Sequence, residues 1–204
     1  MGEFDRYLGA LRLSGFPKAY GHLMMKPRLL KSIESERLVF RRPLIADAQA
    51  FYDAYISDVE VSKYMMRRPL THASEAEKFL NGCVSAWEGG RRFPYALTLR
   101  GQESSPIGML DAIPEGHIFY LGYVRARNLC GQGLMPEAVQ TFSELALSLP
   151  AIFRLQATCD VENIASARKL EKSGFVREGR LERYTLHPKI SDEPSPCFIY
   201  AKCP

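Results

Sequence analysis

The chain of 204 residues carries 27 Lys and Arg against 23 Asp and Glu, a net charge of +4, with 46% hydrophobic and 25% charged residues. That length and balance suit one domain with a substantial core and exclude a disordered or strongly polybasic protein. No apolar run reaches the roughly 18 residues of a membrane span, charged residues interrupt the stretch where a signal peptide would be apolar, and Cys83, Cys130, Cys159, Cys197 and Cys203 form no CxxC pair. A disulfide framework or zinc site is therefore not expected. The reading is a cytoplasmic protein with reduced thiols, with no nucleic acid, membrane or metal as partner.

Residues 1–35 mix Gly, Pro, Met and basic residues without periodicity and read as an N-terminal extension, either an arm that packs on a partner, a homodimer included, or a poorly ordered lead. The domain proper, 36–204, begins at a strand, Arg37-Leu38-Val39-Phe40-Arg41. A less regular helical pattern spans 46–55. Ser74-Glu75-Ala76-Glu77 has the form of a capping box, in which Ser74 accepts from the third N–H and Glu77 reaches back. Behind it Ala76, Phe79, Leu80, Cys83, Val84 and Trp87 share one helix face. Strands follow at 95–99, 107–111 and 118–124. Met135, Ala138, Val139, Phe142, Leu145 and Ala146 then line a helix over 133–148.

A strand at 153–159 precedes a helix over 163–173, marked by Ile164, Ala167 and Leu170 and stopped at Gly174. Short strands at 175–177 and 197–201 flank a polar loop, 183–196. This order predicts an α/β (α+β) domain, a mixed sheet with helices on it. The units 118–148 and 153–173 can each make a parallel crossover.

One segment points to chemistry. Asn128-Leu129-Cys130-Gly131-Gln132-Gly133-Leu134-Met135-Pro136-Glu137-Ala138 joins a strand to an amphipathic helix. Two glycines one residue apart remove side chains where backbone approaches a ligand, and the first-turn N–H groups with the helix dipole favour an anion. Pro136 suits the first turn, where its missing N–H costs nothing. By itself Gly-x-Gly is equally a helix start with no ligand. Neither GxxxxGK[ST] nor a GxGxxG near a first strand is present.

Its company is more specific. Leu121-Gly122-Tyr123-Val124, the glycine segment, Asp160-Val161-Glu162-Asn163-Ile164-Ala165-Ser166, and Leu170-Glu171-Lys172-Ser173-Gly174-Phe175-Val176-Arg177-Glu178-Gly179 occur in that order. The series resembles the GNAT (Gcn5-related N-acetyltransferase) superfamily, in its RimJ/RimL-like branch that acetylates ribosomal-protein N-termini, over about residues 36–201. The resemblance implies a mostly antiparallel central sheet with a splayed parallel strand pair, helices on both faces, and acetyl-CoA as co-substrate.

Carried over by position, the resemblance makes Asn128, Gly131, Gln132, Gly133, Leu134 and Met135 a pyrophosphate cradle acting mainly through backbone N–H groups. Asn128 stands where the family usually has Arg or Gln. Strand 121–124, with Val124, aligns the pantetheine arm and polarises the thioester carbonyl. Asn163 contacts that arm and Ser166 protonates the leaving thiolate; capping of the helix by Asn163 is compatible with this. A tyrosine acid seven residues beyond Asn163 is excluded, because Leu170 is there.

The base is left open. Tyr120 occupies the place where the branch often has a carboxylate, and Glu178, His117, Asp111 or a water relay are the alternatives. Tyr120 and His187 are expected at the acceptor, with Asp192 and Glu193 able to meet a cationic amine. The loops 67–71, 111–117 and 183–196 border that pocket.

A ping-pong route through Cys130 is set aside, since its place suits packing. A site with a weak base suits an α-amine, with a pKa near 8, better than lysine at about 10.4. The expected activity is direct acetyl transfer in a ternary complex to an α-amine of a protein N-terminus. A small amine (polyamine, amino acid or aminoglycoside) is the first alternative, and a non-catalytic CoA-binding regulatory module the second.

Overall fold

A computed structural model describes residues 27–56, 58–66, 70 and 72–204. Eight strands form one sheet: β1 (Ser32–Glu34), β2 (Leu38–Arg41), β3 (Phe93–Leu99), β4 (Pro106–Glu115), β5 (Ile118–Arg125), β6 (Arg154–Asp160), β7 (Val176–Thr185) and β8 (Ser195–Lys202). Their order is β1-β2-β3-β4-β5-β6-β8-β7. Every neighbouring pair is antiparallel except β5 and β6.

The helices are α1 (Ala48–Phe51), between one 3-10 turn and one π turn, then α2 (Ala73–Glu88), α3 (Leu134–Leu147) and α4 (Ile164–Lys172). None of the described helices is long and apolar enough to cross a membrane.

Strand alternation divides the core between the two faces. Leu110 and Ala112 turn to the face covered by α3, where Met135, Ala138, Val139 and Phe142 are buried against Tyr95 and Phe119. Met109 and Ala96 turn the other way, onto Phe51 of α1 and Ala76, Leu80 and Cys83 of α2. Phe142, fully buried edge-on to Tyr95 and Phe119, contributes about 1.5–3 kcal/mol as a buried side chain of its size.

Several expectations are corrected. Helix α2 starts earlier than the Ser74 box implied: His72 is its N-cap, in extended conformation, and Glu75, not Glu77, accepts from the His72 N–H at 3.3 Å. Ile164, read as part of a buried face, is exposed. Strand β7 runs on to Thr185 through residues taken as loop. It is the sheet edge and almost wholly exposed, so its charged residues leave no apolar alternation to read.

The second crossover is also altered. Strands β6 and β7 are parallel, but β8 is inserted between them. At the other edge, β1 pairs with β2, so the sheet begins inside the segment read as extension, while residues 1–26 lie outside the described residues.

Candidate active site

The parallel pair makes the site. Strand β5 pairs with β6 only where Ile118, Phe119 and Tyr120 face Arg154, Leu155 and Gln156. Past Tyr120 the strands part. Leu121, Gly122, Tyr123 and Val124 form one wall of a cavity of about 260 Å³, and Thr158, Cys159 and Asp160 the other. Asn163 and Ser166 of the α4 start, Asp111 of β4, Phe79 of α2 and His187 complete it. The cavity is thus lined from both faces of the sheet.

On the α4 side, Asn163 is the N-cap and its Oδ1 accepts from the Ser166 N–H at 3.1 Å. That engages the side-chain oxygen and leaves the amide NH2 for a ligand. Ser166 Oγ lies 2.8 Å from the Tyr123 hydroxyl. Burial pushes the Tyr123 phenol well above its usual range, with Ser166 opposing in part, so it is a neutral hydroxyl at physiological pH. Burial likewise pushes the Cys159 thiol up to about 12, which leaves almost no thiolate there.

The glycine loop is held by arginines. Gly131 and Gly133 have φ of +85° and +75°, the left-handed region that favours glycine, and Gly133 is the N-cap of α3. Arg37 of the β1–β2 turn donates to the Gln132 carbonyl at 2.9 Å and pairs with Glu137 at 2.6 Å. Glu137 also accepts from the Arg37 N–H and the Ser35 hydroxyl. Burial works against its ionisation, but these partners more than offset it and hold its pKa below the usual value. Arg125 donates to the Leu129 carbonyl and contacts Cys130 Sγ. The Gln132 and Leu129 carbonyls are thereby drawn to cations. Leu134 and Met135 are buried by their side chains and offer a ligand only backbone.

Other predicted residues stand elsewhere. Glu178 makes two hydrogen bonds to Arg154, which hold its pKa down; it does not line the cavity. Arg154 is at the opposite end of β6 from Asp160, roughly 20 Å away at strand spacing. His117 sits in the β4–β5 turn against Phe153, also outside the cavity. Asn128 lines a separate groove with Asp53, Asp58 and Arg127. Asp192 and Glu193 are exposed, and Glu193 pairs loosely with Arg183 at 3.7 Å. Tyr120 marks the point where the strands part, and burial pushes its phenol above the usual range. Of the loop 67–71, only Leu70 is among the described residues.

His187 does reach the cavity. Its Nε2 lies 3.2 Å from Asp160 Oδ2, both residues are buried, and Tyr64 meets the imidazole edge-on. Burial lowers its pKa and Asp160 counters only in part, so the imidazole is neutral at neutral pH. Opposite it Asp111 is held at Oδ2 by the buried Arg92 guanidinium. Burial raises the Asp111 pKa despite that partner. Sequence reading named Asp111 only among other base candidates and missed Arg92, Arg37, Asp160 and the Tyr123 hydroxyl. No spacing announces them, since each is paired through tertiary structure.

This sheet, split at one parallel pair with a glycine loop opening the following helix, is the architecture of an acetyltransferase fold. The family model described as acetyltransferase (GNAT) domain matches residues 37–176, and the chain belongs to that family of N-acetyltransferases. It is 31% identical over 147 residues to the uncharacterized N-acetyltransferase YnaD of Bacillus subtilis, covering 72% of this chain and 84% of that protein. A GNAT-family acetyltransferase structure from Bacillus anthracis is 26% identical with a TM-score of 0.73, covering 84% of this chain and 98% of the other. RimL, a ribosomal L7/L12 alpha-N-protein acetyltransferase in complex with coenzyme A, shares the fold at 20% identity with a TM-score of 0.74, covering 84% of this chain and 97% of that one.

Proposed function

We propose that the chain transfers an acetyl group from acetyl-CoA to a primary amine, foremost an α-amine of a protein N-terminus, by direct attack in a ternary complex. The observation that carries this reading is the split between β5 and β6, lined from both faces of the sheet. A thioester can lie through it with its donor half on the α3–α4 side, leaving the α2 side for the amine.

The residues fit the donor. A Cβ added at Gly131 would meet nothing within 4 Å, so open space adjoins the loop where a pyrophosphate would sit. The α3 start adds a dipole contribution of about 0.3–1 kcal/mol, with Arg37 and Arg125 close by. The β5–β6 ladder ends at Tyr120, so backbone groups of 121–124 face the split without a strand partner there. They suit the pantetheine amides and the thioester oxygen.

In the reaction the amine nitrogen attacks the thioester carbon, the C–N bond forms, the C–S bond breaks, and the proton lost by nitrogen passes through a base or water to restore the one Ser166 gives up. Ser166 gives the leaving sulfur a proton, with the neutral Tyr123 hydroxyl orienting it. Asn163 holds the first turn of α4 in place. The protonated state of Cys159 and the position of Cys130 outside the cavity support direct transfer over an acyl-cysteine route. The coenzyme A bound to RimL supports the choice of donor.

The test is release of free thiol from acetyl-CoA with a panel of amines: peptides with free or blocked N-termini, a polyamine and an aminoglycoside. Turnover confined to free α-amines is expected. Turnover of the small amines alone would replace the acceptor, and tight acetyl-CoA binding with no turnover on any amine would make the chain a CoA-binding module.

A further inference from the structure

On the acceptor side of the split, one carboxylate oxygen has no hydrogen-bond partner among the described residues. Strands β4 and β5 are in register with Asp111 directly opposite Gly122, flanked by the pairs Met109–Val124 and Ile113–Tyr120. Paired residues of an antiparallel ladder share a face, and Met109 places this row on the α1–α2 face. Gly122 leaves open space beside Asp111, since a Cβ there would meet nothing within 4 Å. Arg92 takes Asp111 Oδ2, while Oδ1 is buried without a hydrogen-bond partner among the described residues. A buried acceptor left open in this way is what a ligand N–H satisfies.

Tyr120 stands where the family resemblance led one to expect a carboxylate. Asp111 brings a carboxylate to the same face of the sheet, one step along the same row of pairs. Around it Tyr64, Met65, Met66, Phe79 and Met109 make the cavity wall apolar. An amine that enters therefore meets one carboxylate oxygen in thioether and aromatic surroundings.

We propose that Asp111 Oδ1 receives the acceptor's amino group and takes its proton during attack, and that the acceptor carries an apolar side chain beside that amine, as an N-terminal methionine does. This rests on the acetyl-transfer reading above. As the nitrogen lone pair forms the C–N bond, the N–H electrons return to nitrogen and the proton passes to Asp111. The C–S electrons leave with sulfur, which takes a proton from Ser166, and water carries one proton from Asp111 back to Ser166. Arg92 is a positioning residue that fixes the carboxylate plane and draws the Asp111 pKa part of the way back down against its burial.

The pH dependence follows from what surrounds Asp111. Arg92 precedes β3, Cys83 of α2 lies beyond Arg92, and Tyr64, Tyr123, Asp160 and His187 share the cavity. Among the described residues only Arg92 hydrogen-bonds the carboxylate. Amine capture should weaken as pH falls through a value above the ordinary aspartate range, and removing Arg92 should move that limb further up.

L-methionine amide, titrated calorimetrically into the full chain saturated with CoA, tests this. Wild type should bind it, and Asp111→Asn should weaken it at least about tenfold, the loss expected for a charged hydrogen bond, with CoA affinity within twofold. Equal affinity in the two proteins, or no binding by a wild type that does bind CoA, overturns the proposal. Failure to bind CoA at all would instead bring down the donor reading. Arg92→Gln gives a second readout: the acid limb of methionine amide binding should shift upward, and an unmoved limb counts against Asp111.

Discussion

The Tyr123 hydroxyl lies 2.8 Å from Ser166 Oγ, joining a strand that ends one ladder to a helix that starts beyond the next, 43 residues later in the chain. The bond joins hydroxyls that two of the motif segments bring together beside the split. If Ser166 protonates the leaving thiolate, its loss affects turnover and not donor capture. Ser166→Ala should lower kcat by about 10²–10⁴ with the acetyl-CoA dissociation constant nearly unchanged. Tyr123→Phe should cost less, since the serine proton remains. Steady-state rates beside calorimetric donor affinity measure this, and a kcat unchanged in Ser166→Ala would remove the serine from the mechanism.

Legibility tracked locality. Helix α3 could be read because its apolar residues recur at the helical period and bury one face. Asn163 could be read as a cap because capping is a short-range act. Glu178 could not be placed, because its partner Arg154 comes from β6 across the inserted β8. Asp111 gains its character from Arg92, which lies 19 positions away and meets it only once β3 and β4 have paired. Charged alternation along β7 hid a strand, since an edge wet on both faces shows no apolar rhythm.

The loop geometry makes Gly133 and Gly131 separable. A side chain at φ of +75° or +85° costs about 1–2 kcal/mol per residue. At Gly133 the added atom would meet Arg37 only at 3.6 Å, an ordinary contact, so Gly133→Val acts through backbone strain at the α3 start. At Gly131 the added atom points to open space, so Gly131→Ala acts through strain and through the volume a pyrophosphate needs. Both should weaken acetyl-CoA at least about tenfold, or roughly 1.4 kcal/mol. Fluorescence or calorimetric titration checks this, and an unaltered affinity in both would mean the cradle is not there.

Gly108 sets how closely β4 approaches the wall of the split. A Cβ there would stand 2.5 Å from the Val124 carbonyl oxygen and 3.2 Å from Arg125 Cα, both backbone. Neither can swing aside, so the strands must separate. Gly108→Ala should cost about 1–3 kcal/mol, as overpacking does, and lower Tm by roughly 2–4 °C for each kcal/mol in a chain of this size. It should also weaken donor binding by displacing Val124. Thermal unfolding within one degree of wild type would show that the sheet absorbs the methyl group.

His187 gives the fold an acid sensitivity of its own. Burial lowers its folded pKa below the ordinary value of 6.5, with Asp160 countering in part. The unfolded chain therefore takes up a proton at this residue while the folded chain stays neutral. Above about pH 6.5 neither state binds it and the contribution is flat; as pH falls from there through the folded pKa, stability is lost. Urea midpoints measured between about pH 7 and pH 5 should decline, and His187→Gln, which takes up no proton in this range, should flatten much of the decline. His72 and His117 are exposed, so they provide no comparable burial. Equal slopes in the two proteins would assign the acid sensitivity to carboxylates instead, and His187 would then line the cavity without governing its stability.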